Sequence, residues 1–322
     1  MPLISVVIPV YRSEPTLPKL HQRLVSALER ITPDFEILLV EDCGGDRSWD
    51  VIKELAATDK RVRGIKLSRN FGQHAATICG VSLAKGDWVI TLDDDLEQNP
   101  DEIPALFDKA REGYALVYGV YGERTHSVWR NMTSEVARRL FRLAIPSLNY
   151  EYTSFRVIDG RLARELSQFD SPFPFVDGYL SWLTNNCTSV TVAHSARDQG
   201  RSNYSFRKLF AHTINIFVTF SDLPLRIASW IGLGAFFVGM ISLLAIVLAR
   251  LLGGITVSGF ASIMAGIVLF SGVQLLILGV FGEYLGRMNF KSSKKPLFLV
   301  EELCESGLVS RGPVYRRRKD DL

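Results

Sequence analysis

The first ~120 residues alternate between two hydrophobic periods, and that alternation narrows the fold more than any other feature. Short apolar, β-branched runs occur at Ile4–Val10, Phe35–Val40, Val62–Leu67, Trp88–Leu92 and Ala115–Tyr121. Runs this short, apolar at nearly every position, read as strands buried on both faces of a parallel sheet. Between them the spacing turns helical: Leu17, Leu20, Leu24 and Leu28, then Ile52, Leu55 and Ala56, then Ile103, Leu106 and Phe107. Strand, helix, strand, repeated, predicts a Rossmann-like, doubly wound α/β sheet. In such sheets ligands bind beyond the carboxyl ends of the strands, so the polar residues after each run are the candidates for function.

The rest of the chain has a different character. Residues 122–205 are less regular and read as the acceptor-side half of the same domain, which the sequence places over residues 1–205. Over residues 206–228, Phe206, Leu209, Phe210, Ile214, Phe217 and Val218 fall on one helical stripe, with Arg207, Lys208 and His212 off it. That pattern fits an amphipathic helix in a membrane interface, or one packed on the globular domain. Residues 229–286 are nearly all apolar: Ile231–Leu252 carries a charge only at Arg250, and Phe260–Phe281 carries none. Each is ~22 residues, enough to cross a ~30 Å hydrocarbon core at ~1.5 Å per residue, so two transmembrane helices are expected. The connector has no Lys or Arg, whereas residues 287–322 read as a basic tail containing Arg287, Lys291, Lys294, Lys295 and Arg316 to Arg318. The positive-inside rule then puts both termini and the catalytic domain on the cytoplasmic side of a multi-pass inner- or plasma-membrane protein.

A net charge of +3 is too small to argue for nucleic acid. The four cysteines form no CxxC pair and have no zinc spacing, which fits reduced thiols in the cytosol. No basic region or cleavable apolar core opens the chain.

The densest chemical signal is Asp93-Asp94-Asp95-Leu96-Glu97, directly after the fourth run. Adjacent carboxylates repel one another unless a cation neutralises them. Hard oxygen ligands suit Mg²⁺ or Mn²⁺, which commonly share their shell with substrate phosphates. On an extended segment alternate residues point the same way, so Asp93 and Asp95 are expected to face one ion, and Glu97 continues the alternation. The plain alternative is a solvated acidic turn before a helix. A second acidic turn, Glu41-Asp42-Cys43-Gly44-Gly45-Asp46, follows the second run; a carboxylate there can accept hydrogen bonds from a base or ribose, or Asp46 can cap a helix. Tyr11 ends the first run and can stack on a base or simply pack. Asn70-Phe71-Gly72-Gln73-His74 puts amide and imidazole groups at a helix start.

Taken in order, Val6-Val-Ile-Pro-Val-Tyr11, Glu41-Asp-x-Gly-x-Asp46, Asn70-Phe-Gly-Gln-His74, Asp93-x-Asp-Leu96 and Gly200-x-Ser-x-Tyr204 resemble glycosyltransferase family 2 with the GT-A fold. More narrowly, the chain is similar to the polyprenyl-phosphate glycosyltransferases, from about Leu3 to Lys295 and through both apolar stretches. The resemblance implies that Asp93 and Asp95 hold Mg²⁺ or Mn²⁺ on the donor diphosphate, with Glu97 near the ion where the family usually has Gln. It implies nucleotide contacts at Pro9, Tyr11 and Asp42, with Asp94 counted among the donor-binding residues. Ser13 stands where the family usually has Glu, and Asn203 where it often has Lys, leaving Arg201 or Arg197 to hold a phosphate. Arg156, in Thr153-Ser-Phe-Arg156, matches a family arginine near the active site.

The function so implied is inverting transfer of a sugar from a nucleotide-diphosphate donor, uridine being favoured, to a polyisoprenyl phosphate for cell-envelope glycan modification. A lipid phosphate is ionised near neutral pH, its second pKa being about 6, so it needs orientation rather than a general base. Arg156, Arg197 and Arg201 are expected to orient it through charge-assisted hydrogen bonds. Asp177 would position the sugar or cap a turn, or act as base for a hydroxyl acceptor. Rival readings are a polysaccharide synthase, which would carry Gln-x-x-Arg-Trp and more spans, and a non-catalytic scaffold, which has no use for clustered carboxylates. Gly282 and Gly286 form a small-xxx-small pair that leaves a homo-oligomer open.

Overall fold

The computed structural model describes residues 3–121, 152–169, 174–193, 223–252, 259–292 and 296–311. It divides into two units, one of Met1–Ser205 with Lys295–Leu322 and one of Phe206–Lys294.

The first unit is built on one sheet. Its strands are β1 (Ile4–Val10), β2 (Phe35–Glu41), β3 (Val62–Leu67), β4 (Trp88–Thr91), β5 (Leu116–Tyr121), β6 (Arg156–Asp159), β7 (Cys187–Val192), β8 (Val300–Glu305) and β9 (Leu308–Arg311). The spatial order is β7-β5-β6-β4-β1-β2-β3-β8-β9. The four central strands run parallel, β1 pairing with β2 from Ile4↔Phe35 to Val10↔Glu41 and with β4 from Ile4↔Trp88 to Val7↔Thr91. Both β1 and β2 are buried at every position, as a doubly covered sheet requires. Pro9 lies buried in β1 beyond the last β4 partner, where the sheet can dispense with one backbone donor.

The helices are α1 (Leu17–Leu28), α2 (Ser48–Thr58), α3 (Gln73–Leu83), α4 (Ile103–Arg111), α5 (Gly160–Leu166) and α6 (Val176–Leu183). The α1 stripe buries Leu17, Leu20, Leu24 and Leu28, all at or below 1% exposure, against Ile4, Val6, Ile8 and Ile37. At ~25 cal/mol per Å², each such side chain contributes about 1.5–3 kcal/mol. Apolar spacing predicted these contacts.

Two features were not expected. The fifth run was read as a neighbour of the others in a parallel sheet. Instead β5 is held from β4 by the four-residue β6, antiparallel to both, so the sheet is mixed. The second concerns the segment read as a basic tail. Its residues 300–311 form β8 and β9, with β8 antiparallel to β3 from Arg63↔Glu305 to Leu67↔Val300. Val300 and Cys304 turn inward, while Glu301, Glu302 and Glu305 meet Lys66 and Arg63. The Trp49 indole N–H adds a bond to Glu302 at 3.0 Å. Opposite charges on facing strands, plus the buried Val300 and Cys304, cover the β3 edge.

In the second unit, α7 spans Leu223–Leu251 and α8 spans Phe260–Ser292. A Cβ added at Gly232 would meet Ile277, and one at Gly239 would meet Phe270, so the two helices pack antiparallel, with these α7 glycines against α8 side chains. Among the described residues no helix is long and apolar enough to cross a membrane. Several side chains within both helices are not among those residues, and the spanning expectation rests on the sequence. The predicted amphipathic helix before Leu223, the connector at 253–258 and the last basic residues lie outside the described residues.

Candidate active site

The loops after β1, β2, β3 and β4 leave the same end of the sheet because these strands are parallel. Each loop turns sharply. Arg12, Cys43 and Leu96 adopt φ of 58°, 56° and 62°, and Gly45 and Gly72 take 76° and 91°. Positive φ at non-glycine residues is uncommon and tends to collect at functional turns.

The acidic turn does not continue the strand. β4 stops at Thr91, and the chain bends through Asp94 and Asp95 with Leu96 left-handed. The three aspartates therefore point to different partners. Asp93 Oδ2 accepts from the Ser154 hydroxyl at 2.6 Å and from the Gln98 amide at 3.3 Å, and its Oδ1 accepts from the Gln73 amide at 2.5 Å. Asp94 turns the other way, its Oδ2 accepting from the Tyr11 N–H at 2.8 Å and from the Ser13 hydroxyl. Its carbonyl accepts from Thr16 at 2.9 Å. Asp95 Oδ1 accepts the Glu97 backbone N–H at 3.1 Å, closing a small turn. Ser13 thus has a local reason to be there: it ties the β1 loop to the β4 loop.

Electrostatics follow from this crowding. Burial pushes the Asp93 carboxyl up to about 6; the Ser154 hydrogen bond offsets part of that, and the charges of Asp95 and Asp94 add to it. Burial also raises Asp94, against the Ser13 and Tyr11 bonds. Both Glu41 and Asp42 are raised, again by burial first.

Among the described residues no group of three or more His, Cys, Asp and Glu converges as a cage for an ion. Magnesium-type sites need no such cage, since one or two carboxylates plus substrate phosphates suffice. Two hard oxygen donors two residues apart, on a turn where the charges of Asp94 and Asp95 raise Asp93, fit that description.

Asp42, expected to meet the nucleotide, binds the start of α3. Its Oδ1 accepts from the Phe71 N–H at 2.7 Å and its Oδ2 from the Gly72 N–H at 2.8 Å. Asn70 closes the same corner on the Asp42 carbonyl at 3.1 Å. Tyr11 is 44% exposed, with the Arg12 guanidinium 5.3 Å from its ring centre, and Arg12 Nε donates to the Gly44 carbonyl at 2.9 Å. An aromatic and a cation therefore stand together at the rim.

Arg156 was expected to reach an acceptor phosphate. It is 2% exposed, and its guanidinium donates to Asp177 Oδ1 and, at 2.9 Å, to Thr91 Oγ1. Asp177 is itself buried at the first turn of α6 and also accepts from the Tyr118 hydroxyl at 3.2 Å. The pair pins α6 to the sheet and offers no open cation. Arg197, Arg201 and Asn203 lie outside the described residues. Gln73, Gln98 and Ser154 escaped the sequence reading as contacts of Asp93. Gln98 sits five residues beyond Asp93, but Ser154 is 61 residues away and no local pattern marks it.

A mixed α/β sheet with carboxylates gathered beyond its parallel strands describes a sugar-transferring enzyme of the GT-A fold, and the chain belongs to glycosyl transferase family 2, whose family model matches residues 5–165. Relatives extend the likeness well past that domain. The chain is 35% identical over 314 residues to the undecaprenyl-phosphate 4-deoxy-4-formamido-L-arabinose transferase of Pseudomonas aeruginosa, covering 94% of this chain and 91% of that protein. It is 31% identical over 300 residues to the uncharacterized glycosyltransferase YkcC of Bacillus subtilis, covering 92% and 93%. Among solved structures, glucosyl-3-phosphoglycerate synthase from Mycobacterium tuberculosis superposes with a TM-score of 0.49 at 18% identity, covering 68% of this chain and 79% of that one.

Proposed function

We propose that this chain moves a sugar from a nucleotide diphosphate, a uridine one by resemblance, onto a polyisoprenyl phosphate at a membrane surface, with inversion, for modification of a cell-envelope glycan. The observation that supports it most directly is the crowded carboxylate turn at Asp93–Asp95, at the end of the sheet where α/β proteins bind ligands. A relative that matches this chain nearly end to end bears the name of an undecaprenyl-phosphate sugar transferase.

Asp93 and Asp95 would hold Mg²⁺ or Mn²⁺, with Glu97 beside them. Bound there, the ion would offset the charge that develops on the departing nucleotide diphosphate. Tyr11 and Arg12 would receive the base, with Pro9, Asp42 and Asp94 shaping the loops around it. A lipid phosphate arrives ionised and attacks without a base. Asp177 serves instead as the buried anchor of Arg156. Arg197 and Arg201 would then orient the acceptor phosphate. Residues 229–286 would cross the bilayer twice, with both termini cytoplasmic. At ~1.5 Å per residue the 29 residues of α7 measure about 43 Å, more than a ~30 Å core.

The test is to incubate the purified full chain with undecaprenyl phosphate and a panel of nucleotide sugars, with and without EDTA, and to look for a glycolipid by mass spectrometry. Product is expected from one donor, lost with EDTA and in Asp93→Ala. Equal product after chelation, or in that variant, refutes the reading.

A further inference from the structure

Asp93 is gripped from behind. The Gln98 side chain closes a ring on it: Oε1 accepts the Asp93 backbone N–H at 2.8 Å, and Nε2 reaches Oδ2 of the same residue at 3.3 Å. Nε2 also donates to Ser154 Oγ at 2.5 Å, and Ser154 Oγ donates to Oδ2 at 2.6 Å. Two donors thus converge on one carboxylate oxygen. Gln98 is only 5% exposed, so its amide has little freedom to turn away. Ser154 is fixed in turn, because its carbonyl accepts the Thr91 hydroxyl at 2.6 Å, and Thr91 Oγ1 accepts from buried Arg156 at 2.9 Å. The whole chain of bonds ends on the Arg156–Asp177 pair.

The opposite oxygen has different company. Among the described residues, Oδ1 accepts only a side-chain amide, that of Gln73, on the exposed side of the residue. The carboxylate therefore has an inner oxygen held by the fold and an outer oxygen that a cation could take by displacing one amide.

We infer that Gln98 and Ser154 are positioning residues that lock the Asp93 carboxylate with Oδ1 outward, and so set the affinity of the site for a divalent cation. The inference rests on the metal reading of Asp93 made above. Partners that orient a ligating carboxylate typically contribute 10- to 100-fold to metal affinity or activity when present. Removing the hydroxyl frees Asp93 to rotate and leaves Gln98 Nε2 with a single, long bond. A threonine at position 154 keeps the hydroxyl and should restore the grip.

The experiment titrates Mn²⁺ into the full-length protein by isothermal titration calorimetry in the presence of UDP, for the parent, Ser154→Ala, Ser154→Thr and Gln98→Leu, each with a melting curve. The expected result is a Kd for Mn²⁺ raised on the order of tenfold in Ser154→Ala and Gln98→Leu, and returned to within about threefold of the parent in Ser154→Thr. In turnover assays the KM for Mn²⁺ should rise by a larger factor than kcat falls. If Gln98→Leu does not fold, Ser154→Ala decides alone. A folded Ser154→Ala with a Kd within about twofold of the parent overturns the inference while leaving the metal reading in place. A parent that binds no Mn²⁺ overturns both.

Discussion

Removing the charge of Asp177 should destabilise the fold strongly. The Arg156 and Asp177 side chains are 2% and 5% exposed, so Asp177→Asn leaves a buried guanidinium charge without its ion-pair partner. Breaking a buried pair in this way costs about 3–5 kcal/mol. For a unit near 200 residues, each kcal/mol lowers Tm by about 2–4 °C, so a drop of roughly 6–20 °C is expected. Arg156→Met strands the carboxylate instead and should cost a similar amount. The double variant Arg156→Met/Asp177→Leu removes both charges. What it leaves is the Tyr118 hydroxyl without its acceptor, a loss of about 1–3 kcal/mol. With Asp177→Leu as the second single variant, the two singles, the double and the parent form a double-mutant cycle, read by denaturant and thermal unfolding of the full chain. The double variant should be far more stable than the sum of the singles implies. Single variants within about 0.5 kcal/mol of the parent, or strictly additive losses, would refute the argument that the pair is dry and mutually dependent.

Four further outcomes can be checked. Because Asp93 titrates near 6 without a cation, a proton competes with Mn²⁺ there; affinity should fall about tenfold per pH unit below that value, seen by calorimetry between pH 7.5 and 5, and a flat profile would count against Asp93 as a ligand. In the metal-free protein the sign reverses for stability: the folded carboxyl binds its proton more tightly than the ordinary value of 3.8, so this group adds stability as pH falls from about 6 toward 4. Asp59 behaves oppositely. Burial raises it, but hydrogen bonds from Arg61 and His21 outweigh that and hold it at about 2, so its stabilisation is full above pH 4 and lost as pH falls toward 2; Asp59→Asn should remove that part of the acid transition. Gly160→Ala should destabilise by about 1–3 kcal/mol or more, because the added Cβ would sit 2.6 Å from the Gly86 carbonyl oxygen and 2.7 Å from that of Asp87, neither of which can swing aside; an unchanged melting temperature would show that β4 and α5 can part.

The central sheet was legible because its signal is local. A run such as Ile4–Val10 is apolar at every position but Ser5, and the strand has those bounds. The β6 strand was not legible, since four residues flanked by irregular sequence carry too little pattern, and with it went the mixed character of the sheet. The β8 strand was obscured by charge: Val300 and Cys304 turn inward, but the glutamates around them and the basic residues on either side read as a solvated tail. In the site, the acidic turn announced itself by repulsion alone. Its geometry did not, because the turn at Asp94 and Asp95, with Leu96 left-handed after it, replaces the extended segment on which Asp93, Asp95 and Glu97 would alternate. The interior position of Arg156 depends on a partner 21 residues away, and residue type alone favours the surface for arginine.

The pairing of β3 with β8 has a consequence for biogenesis. The sheet's outer edge is supplied from beyond the two long helices, so both must be synthesised before the N-terminal unit can complete itself. Until then, the backbone N–H and C=O groups along Arg63–Leu67 face outward, open to whatever strand meets them first. A protein cut after α8 would keep every residue of the acidic turn and still carry that raw border, and its fate should be aggregation rather than quiet inactivity.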